Sequence, residues 1–302
     1  MSESSEGMVT IEEAVPVGHG GDRELLVDVY RPPAHIETRP AVLLIHGGGF
    51  QMGDREQLKW YGLMLGRRGY LCVTCEYRLV QEAAWPAQIH DVKTALRWMR
   101  ANAEGLDIDR ERIAVWGHSA GGHLALFAGG TQNDPSWEGE GGNPGAGTGV
   151  ATVVSYYGPA TLWRSEDGFS PIDILLGEHP SAEQIDAASP LTYVGGSYPP
   201  TALIHGSDDA TVPVAQSTLM YEALSEAGVP VELLILAGQP HSFDLSRTMG
   251  RHGMNSGALF LDRYLAGTVP ADGTEVLRRM REIGEADRAK RAAAEAGMQD
   301  RT

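Results

Sequence analysis

The chain has 302 residues, 42% hydrophobic and 21% charged, the balance of a globular body and not of a fibre or a disordered chain. Its 40 acidic against 24 basic residues give a formal net charge of -16, which repels a phosphate backbone, and no Lys/Arg stripe with interleaved aromatics offsets it, so nucleic acid is not an expected partner. Residues 1–7 are acidic where a secretory signal is basic and then apolar, and no run approaches the ~20 apolar residues of a bilayer span, so a cytoplasmic protein without a membrane partner is expected.

From residue 25 onward the pattern alternates strands and helices. Residues 25–30 read as an early strand that stops at Pro32-Pro33. The run 41–45 is continuously aliphatic, as in a strand buried on both faces, and it ends in His46-Gly47-Gly48-Gly49. Residues 57–68 carry apolar positions at helical spacing up to Gly69, and 70–75 form the next strand. The only two cysteines, Cys72 and Cys75, stand three apart on that strand. They point to opposite faces, as core thiols do and a disulfide or metal pair does not.

The stretch 88–103 sets Ile89, Val92, Leu96 and Met99 on one helical stripe, and a strand at 113–116 follows it. A Ser-bearing turn, a small-residue helix at 121–128, a Gly-rich loop at 132–149 and a strand at 152–156 come next. Repeated β-α-β units give a mostly parallel sheet with helices on both faces, joined right-handedly. Residues 160–200 have few strand signals and several turn residues, and read as a small cap. Strands at 202–205 and 231–236 flank a helix at 216–227, and another helix surrounds 259–265. Residues 268–302 form an Ala/Arg/Glu-rich helical tail with Leu277, Met280 and Ile283 at three-residue spacing. A solvated helix is the reading preferred over a dimerisation arm, with a homodimer left open. One domain at 1–267 and a tail at 268–302 are therefore expected.

Gly117-His118-Ser119-Ala120-Gly121 fits G-x-S-x-G, directly after a strand and before a helical pattern. A serine at such a turn is forced into a strained backbone, and the glycines remove side chains that would collide with the neighbouring elements. A hydroxyl attacks only when a base takes its proton, and the oxyanion that develops needs donors fixed in advance. Gly48 and Gly49 can turn backbone N–H groups toward a ligand, and the N–H of Ala120 at a helix start makes a third donor. Both turns follow central strands and so meet at one sheet edge.

Of ten histidines, His241 follows the strand 231–236 and lies downstream of the acid candidates, in the order serine, acid, histidine. His46, His118 and His123 read as structural hydrogen-bonders, and His19, His35 and His252 as loop residues. His205-Gly206-Ser207-Asp208-Asp209 offers two adjacent carboxylates at another strand end, one of which can orient the imidazole.

Together with Tyr77-Arg78-Leu79, Trp85 to Asp91 leading into a helix, Ser189-Pro190, Pro199-Pro200 and Val212-Pro213, these motifs resemble the α/β-hydrolase superfamily. The match is to its branch of hormone-sensitive-lipase-like, feruloyl/acetylxylan-esterase-like and formamidase-like enzymes, over roughly residues 27–265. The resemblance implies Ser119, Asp209 and His241 as a triad and Gly48, Gly49 and Ala120 as an oxyanion hole, with no metal and no cofactor. Asp209 is favoured over Asp208 because the family spaces its acid two residues before Val-Pro. Arg78 and Asp91 are implied to be structural. The stretch before the first strand is too short for the lipase-like helical cap, so cover is expected from 160–200 and 132–149, over a site suited to small esters. The activity implied is that of a serine carboxylesterase acting on a small-molecule ester. An amide or formamide hydrolase is the first alternative, and a non-catalytic binding module on this fold the second.

Overall fold

Aliphatic runs that end in glycine turns become the central strands of an eight-stranded sheet in the computed structural model, which describes residues 8–34, 39–165 and 168–299. The strands are β1 (Thr10–Gly20), β2 (Arg23–Arg31), β3 (Arg39–Ile45), β4 (Leu71–Cys75), β5 (Ile108–His118), β6 (Thr152–Tyr156), β7 (Thr201–Gly206) and β8 (Val231–Leu236). Their order in space is β1-β2-β4-β3-β5-β6-β7-β8. The first two pairings are antiparallel and the rest parallel. This is the α/β-hydrolase fold, with β3 and β5 side by side at its centre, Ile45 opposite Gly117.

Period-two alternation divides the core into two layers. Leu43, Ile45, Val73, Cys75 and Val115 face α2 (Ala87–Ala101), α4 (Ala120–Gly130) and α7 (Ala215–Glu226). Val42, Leu44, Cys72 and Trp116 face the other way, toward α1 (Lys59–Gly66) and α8 (Arg247–Tyr264). Cys72 and Cys75 thus fall on opposite faces, both buried and free.

Several elements differ from expectation. β1 carries no clean alternation, because register shifts between Glu12 and Val15 and between Pro16 and Gly18 interrupt it and it lies at the sheet edge, largely exposed. It places His19 in a strand, and His252 lies in α8; neither is a loop residue. The segment after β6 holds two short helices, α5 (Pro171–Leu176) and α6 (Ala182–Ala187). The short helix α3 (Ala103–Leu106) extends α2 after a break at Asn102.

The loop 132–149 does not cover the sheet edge where the site lies. Glu138 binds Lys93 and Arg97 of α2, and the His19 N–H donates to the Gly141 carbonyl, which ties the loop to α2 and β1. Arg78 and Asp91 form a bidentate pair at 2.8 Å, with the Arg78 N–H donating to the same carboxylate.

The chain forms two units, Met1–Ala266 and Gly267–Thr302. The second contains α9 (Thr274–Gln299), an Arg/Glu-rich helix with an Arg278–Glu282 pair one turn apart. Residues 1–7, His35 and residues 300–302 lie outside the described residues.

Candidate active site

Ser119 caps α4 with φ 53° and ψ -117°, a conformation that ordinary side chains avoid. The turn is possible because its neighbours lack side chains. A Cβ on Gly117 would lie 1.9 Å from the Gly121 carbonyl oxygen, and one on Gly121 2.1 Å from that of Ile45. The Ser119 N–H donates to the Tyr156 carbonyl at 2.9 Å, and its carbonyl accepts from His123 N–H at 3.0 Å, so backbone bonds hold the strained residue on both sides.

The Ser119 hydroxyl lies 3.0 Å from His241 Nε2, and His241 Nδ1 lies 2.7 Å from Asp209 Oδ2. The carboxylate can only accept, so the proton sits on Nδ1 and Nε2 presents its lone pair to the hydroxyl. Asp209 lies in the turn after β7. Its Oδ1 accepts from the N–H groups of Thr211 and Val212, both at 2.8 Å, and His205 Nε2 stands 3.2 Å from its Oδ2. Burial works to raise its pKa, but hydrogen bonds from His205, His241 and the Val212 N–H outweigh it and hold the carboxyl well below the usual range. Asp208 is exposed, and among the described residues its carboxylate accepts only from its neighbour Ser207 Oγ at 2.7 Å. One carboxylate of the adjacent pair meets the imidazole.

Gly48 and Gly49, at φ 111° and 61°, turn the chain after β3 where other residues would be strained. A Cβ on Gly48 would stand 2.0 Å from the Met52 carbonyl oxygen. Among the described residues no acceptor takes the N–H of Gly48, Gly49 or Ala120. Ala120 is fully buried and offers the site only its N–H, the first of α4. His46 stacks on Tyr77, and its Nδ1 lies 2.7 Å from the Gly47 carbonyl. Burial lowers its pKa to about 4, so it remains neutral and structural. His123 Nε2 likewise donates to the Ala188 carbonyl at 2.9 Å.

A second carboxylate, Asp244, which motif reading missed, lines the same cavity. Asp244 Oδ2 lies 3.1 Å from His118 Nδ1 and 3.5 Å from the Tyr61 hydroxyl, while the Tyr157 hydroxyl donates to its Oδ1. Trp116 Nε1 donates to His118 Nε2 at 3.1 Å, so His118 turns its Nδ1–H to Asp244. Burial works to raise the Asp244 pKa, but His118 and Tyr157 outweigh it and lower it. The Tyr157 ring meets His241 edge-on at 4.6 Å, which joins this network to the imidazole. Its only sequence trace is the position of Asp244 three residues after His241.

The groups surround a cavity of about 300 Å³, lined by the Gly47–Gly49 turn, Ser119, His241, Tyr157, Leu58 and Phe169. Phe169 comes from the expected cap, whereas no residue of 132–149 reaches the cavity. Among the described residues no group of three or more His, Cys, Asp or Glu could hold a metal ion, and no helix is long and apolar enough to cross a membrane. A nucleophile, a base facing it and free backbone donors around one small cavity form an arrangement suited to acyl transfer.

The model of the BD-FAE family matches residues 27–224. The Mycobacterium tuberculosis protein "Esterase LipC" is 38% identical over 246 residues, which cover 75% of this chain and 59% of LipC, so the chain spans less than two thirds of that relative. Among solved structures, a truncated carbohydrate esterase from gut microbiota superposes with a TM-score of 0.74 at 25% identity, over 86% of this chain and 99% of that one. A thermophilic esterase from Thermogutta terrifontis does so with a TM-score of 0.71 at 25% identity, over 82% of this chain and 91% of its own.

Proposed function

The chain belongs to the BD-FAE family, and from that premise we propose that it is a carboxylic ester hydrolase that cleaves small acyl esters through an acyl-enzyme on Ser119. The observation that carries this reading is the continuous row from the Ser119 hydroxyl through His241 to Asp209, with contacts of 3.0 and 2.7 Å. Relatives and structural neighbours that are named esterases support it.

In the proposed reaction His241 Nε2 takes the Ser119 proton as Oγ attacks the ester carbonyl. The oxyanion is held by the N–H groups of Gly48, Gly49 and Ala120. The imidazolium then gives its proton to the departing alcohol, and water repeats the sequence to release the acid. Asp209, ionised and fixed by two backbone N–H donors, keeps the imidazole in the tautomer that the first step needs. A cavity of about 300 Å³, closed on one side by Phe169 and Leu58, lies at the small end of ligand sites and supports short acyl groups.

The test is a series of aryl esters from acetyl to octanoyl beside an aryl formamide, with Ser119→Ala as the blank. Acetyl to butyryl esters are expected to be turned over fastest. Preferential cleavage of the formamide would move the assignment to amide chemistry. Turnover that survives Ser119→Ala would remove the serine from it.

A further inference from the structure

A second cavity, of about 460 Å³, opens beside the first and shares Gln57, Asp244 and Leu245 with it. Leu245 forms the ridge between them and is 86% exposed, although it follows His241 by only four residues. Trp60 and Tyr61 of α1 form one wall of the second cavity, and Arg247 and Arg251, one turn apart at the start of α8, form another. Both arginines are exposed, and among the described residues neither has a carboxylate partner. Arg23, Arg55, Arg78 and Arg97 are paired with carboxylates, whereas among the described residues Arg67 and Arg110, like these two, are not; what sets Arg247 and Arg251 apart is that both line one cavity next to the catalytic one.

We propose that this cavity is a subsite for an anionic group of the ester substrate, with Arg247 and Arg251 as its recognition residues and Trp60 as the flat surface beside them. Guanidinium groups match carboxylates in plane and can bind both oxygens, and two of them on successive turns present donors to one ligand. The one carboxylate in the wall, Asp244, keeps a negative charge there against the two arginines, but among the described residues it pairs with neither of them. Both Asp244 oxygens are engaged by His118, Tyr61 and Tyr157, and its side chain is only 9% exposed. A substrate that spans both cavities would place its ester at Ser119 and its charge beyond the Leu245 ridge. That favours an acid-bearing ester over a neutral one of equal size.

The proposal rests on the esterase reading, and the test separates the two. Two anionic esters are compared with neutral isosteres: the acetate of 4-hydroxybenzoate, whose charge is on the leaving group, and a monoaryl succinate, whose charge is on the acyl group. If the wild type hydrolyses no ester, the esterase reading fails. If it does, Arg247→Gln with Arg251→Gln should lower the anionic-to-neutral ratio of kcat/KM at least about tenfold for one of the two series, the scale of a hydrogen bond to a charged group. The affected series identifies the side of the ester that enters the subsite. Glu at both positions should invert the preference, and added salt should weaken it in the wild type. Titrating Ser119→Ala protein with 4-hydroxybenzoate and with succinate monoanilide gives a readout without turnover, and at least one should bind more weakly when both arginines are Gln. A ratio that the double substitution leaves unchanged in both series, in protein with unaltered thermal unfolding, overturns the proposal.

Discussion

Among the described residues, the serine hydroxyl is the group placed against the imidazole Nε2, so Ser119→Ala should leave a folded protein whose ester turnover falls by orders of magnitude. An organophosphonate label recovered on any other residue would contradict this. The two neighbouring aspartates provide a sharper contrast, because one receives four donors and the other is exposed. Asp209→Asn removes the acceptor that fixes the His241 tautomer and should cost up to ~10⁴ in kcat. Asp208→Asn should leave kcat close to wild type, and steady-state kinetics on both variants decides between them.

Asp244 makes a prediction about pH. Its carboxyl is held below the usual range by His118 and Tyr157, so it stabilises the fold above the unfolded-chain value of ~3.9, and that contribution is lost as pH falls through the lower folded value. Asp244→Asn should therefore unfold at a lower urea midpoint at pH 7, and the gap from wild type should narrow as pH falls below about 4. A gap that does not change with pH would mean that Asp244 is not held ionised. The residues around Ser119 were legible in the sequence because a strained turn can be built only with glycine at fixed offsets. The Asp244 network was not, since His118, Tyr157, Tyr61 and Asp244 come from four separate segments and meet only after folding.

At the scale of elements, legibility followed burial. β4 and β6 are buried throughout, and β3 from Ala41 to Ile45, and they formed strands close to the expected limits; β8, where only Leu236 is buried, was legible instead from its apolar run after Pro230. β1 escaped because an exposed edge strand buries few side chains and needs no alternation. α8 was anticipated only around its C-terminal end, because Gly250, Gly253 and Gly257 weaken the helical signal of its first half. Those glycines have a packing purpose. A Cβ on Gly257 would stand 2.4 Å from the Trp116 ring, and one on Gly250 2.2 Å from the Asp244 carbonyl oxygen. The helix can therefore lie against the buried indole and hold the chain segment that carries Asp244. Gly257→Leu should force the helix away and destabilise the protein by at least about 1–3 kcal/mol, the usual cost of overpacking. Leu259→Ala on the exposed side of the same helix should cost less than about 0.5 kcal/mol. Denaturant midpoints for the two variants measure the difference, and equal losses would show that α8 is not seated on Trp116.

At the scale of the whole chain, the question is whether the second unit is needed by the first. Both hydrophobic clusters end by Leu265, and all the groups around the cavity lie before that point. In α9, Val276, Leu277, Met280 and Ile283 are each between 57% and 64% exposed, so their described side chains bury little apolar surface. Folding free energy scales with apolar area removed from water, at roughly 25 cal/mol per Å², and a helix that removes little adds little. A chain that stops after Ala266 should therefore unfold within about 1 kcal/mol of the full-length protein and keep its kcat/KM on a short aryl ester. Chemical denaturation and steady-state kinetics on the two lengths, at several protein concentrations, provide the check. A shortened chain that loses more stability than this, or a full-length midpoint that alone rises with concentration, would mean that the stripe on α9 is covered in solution.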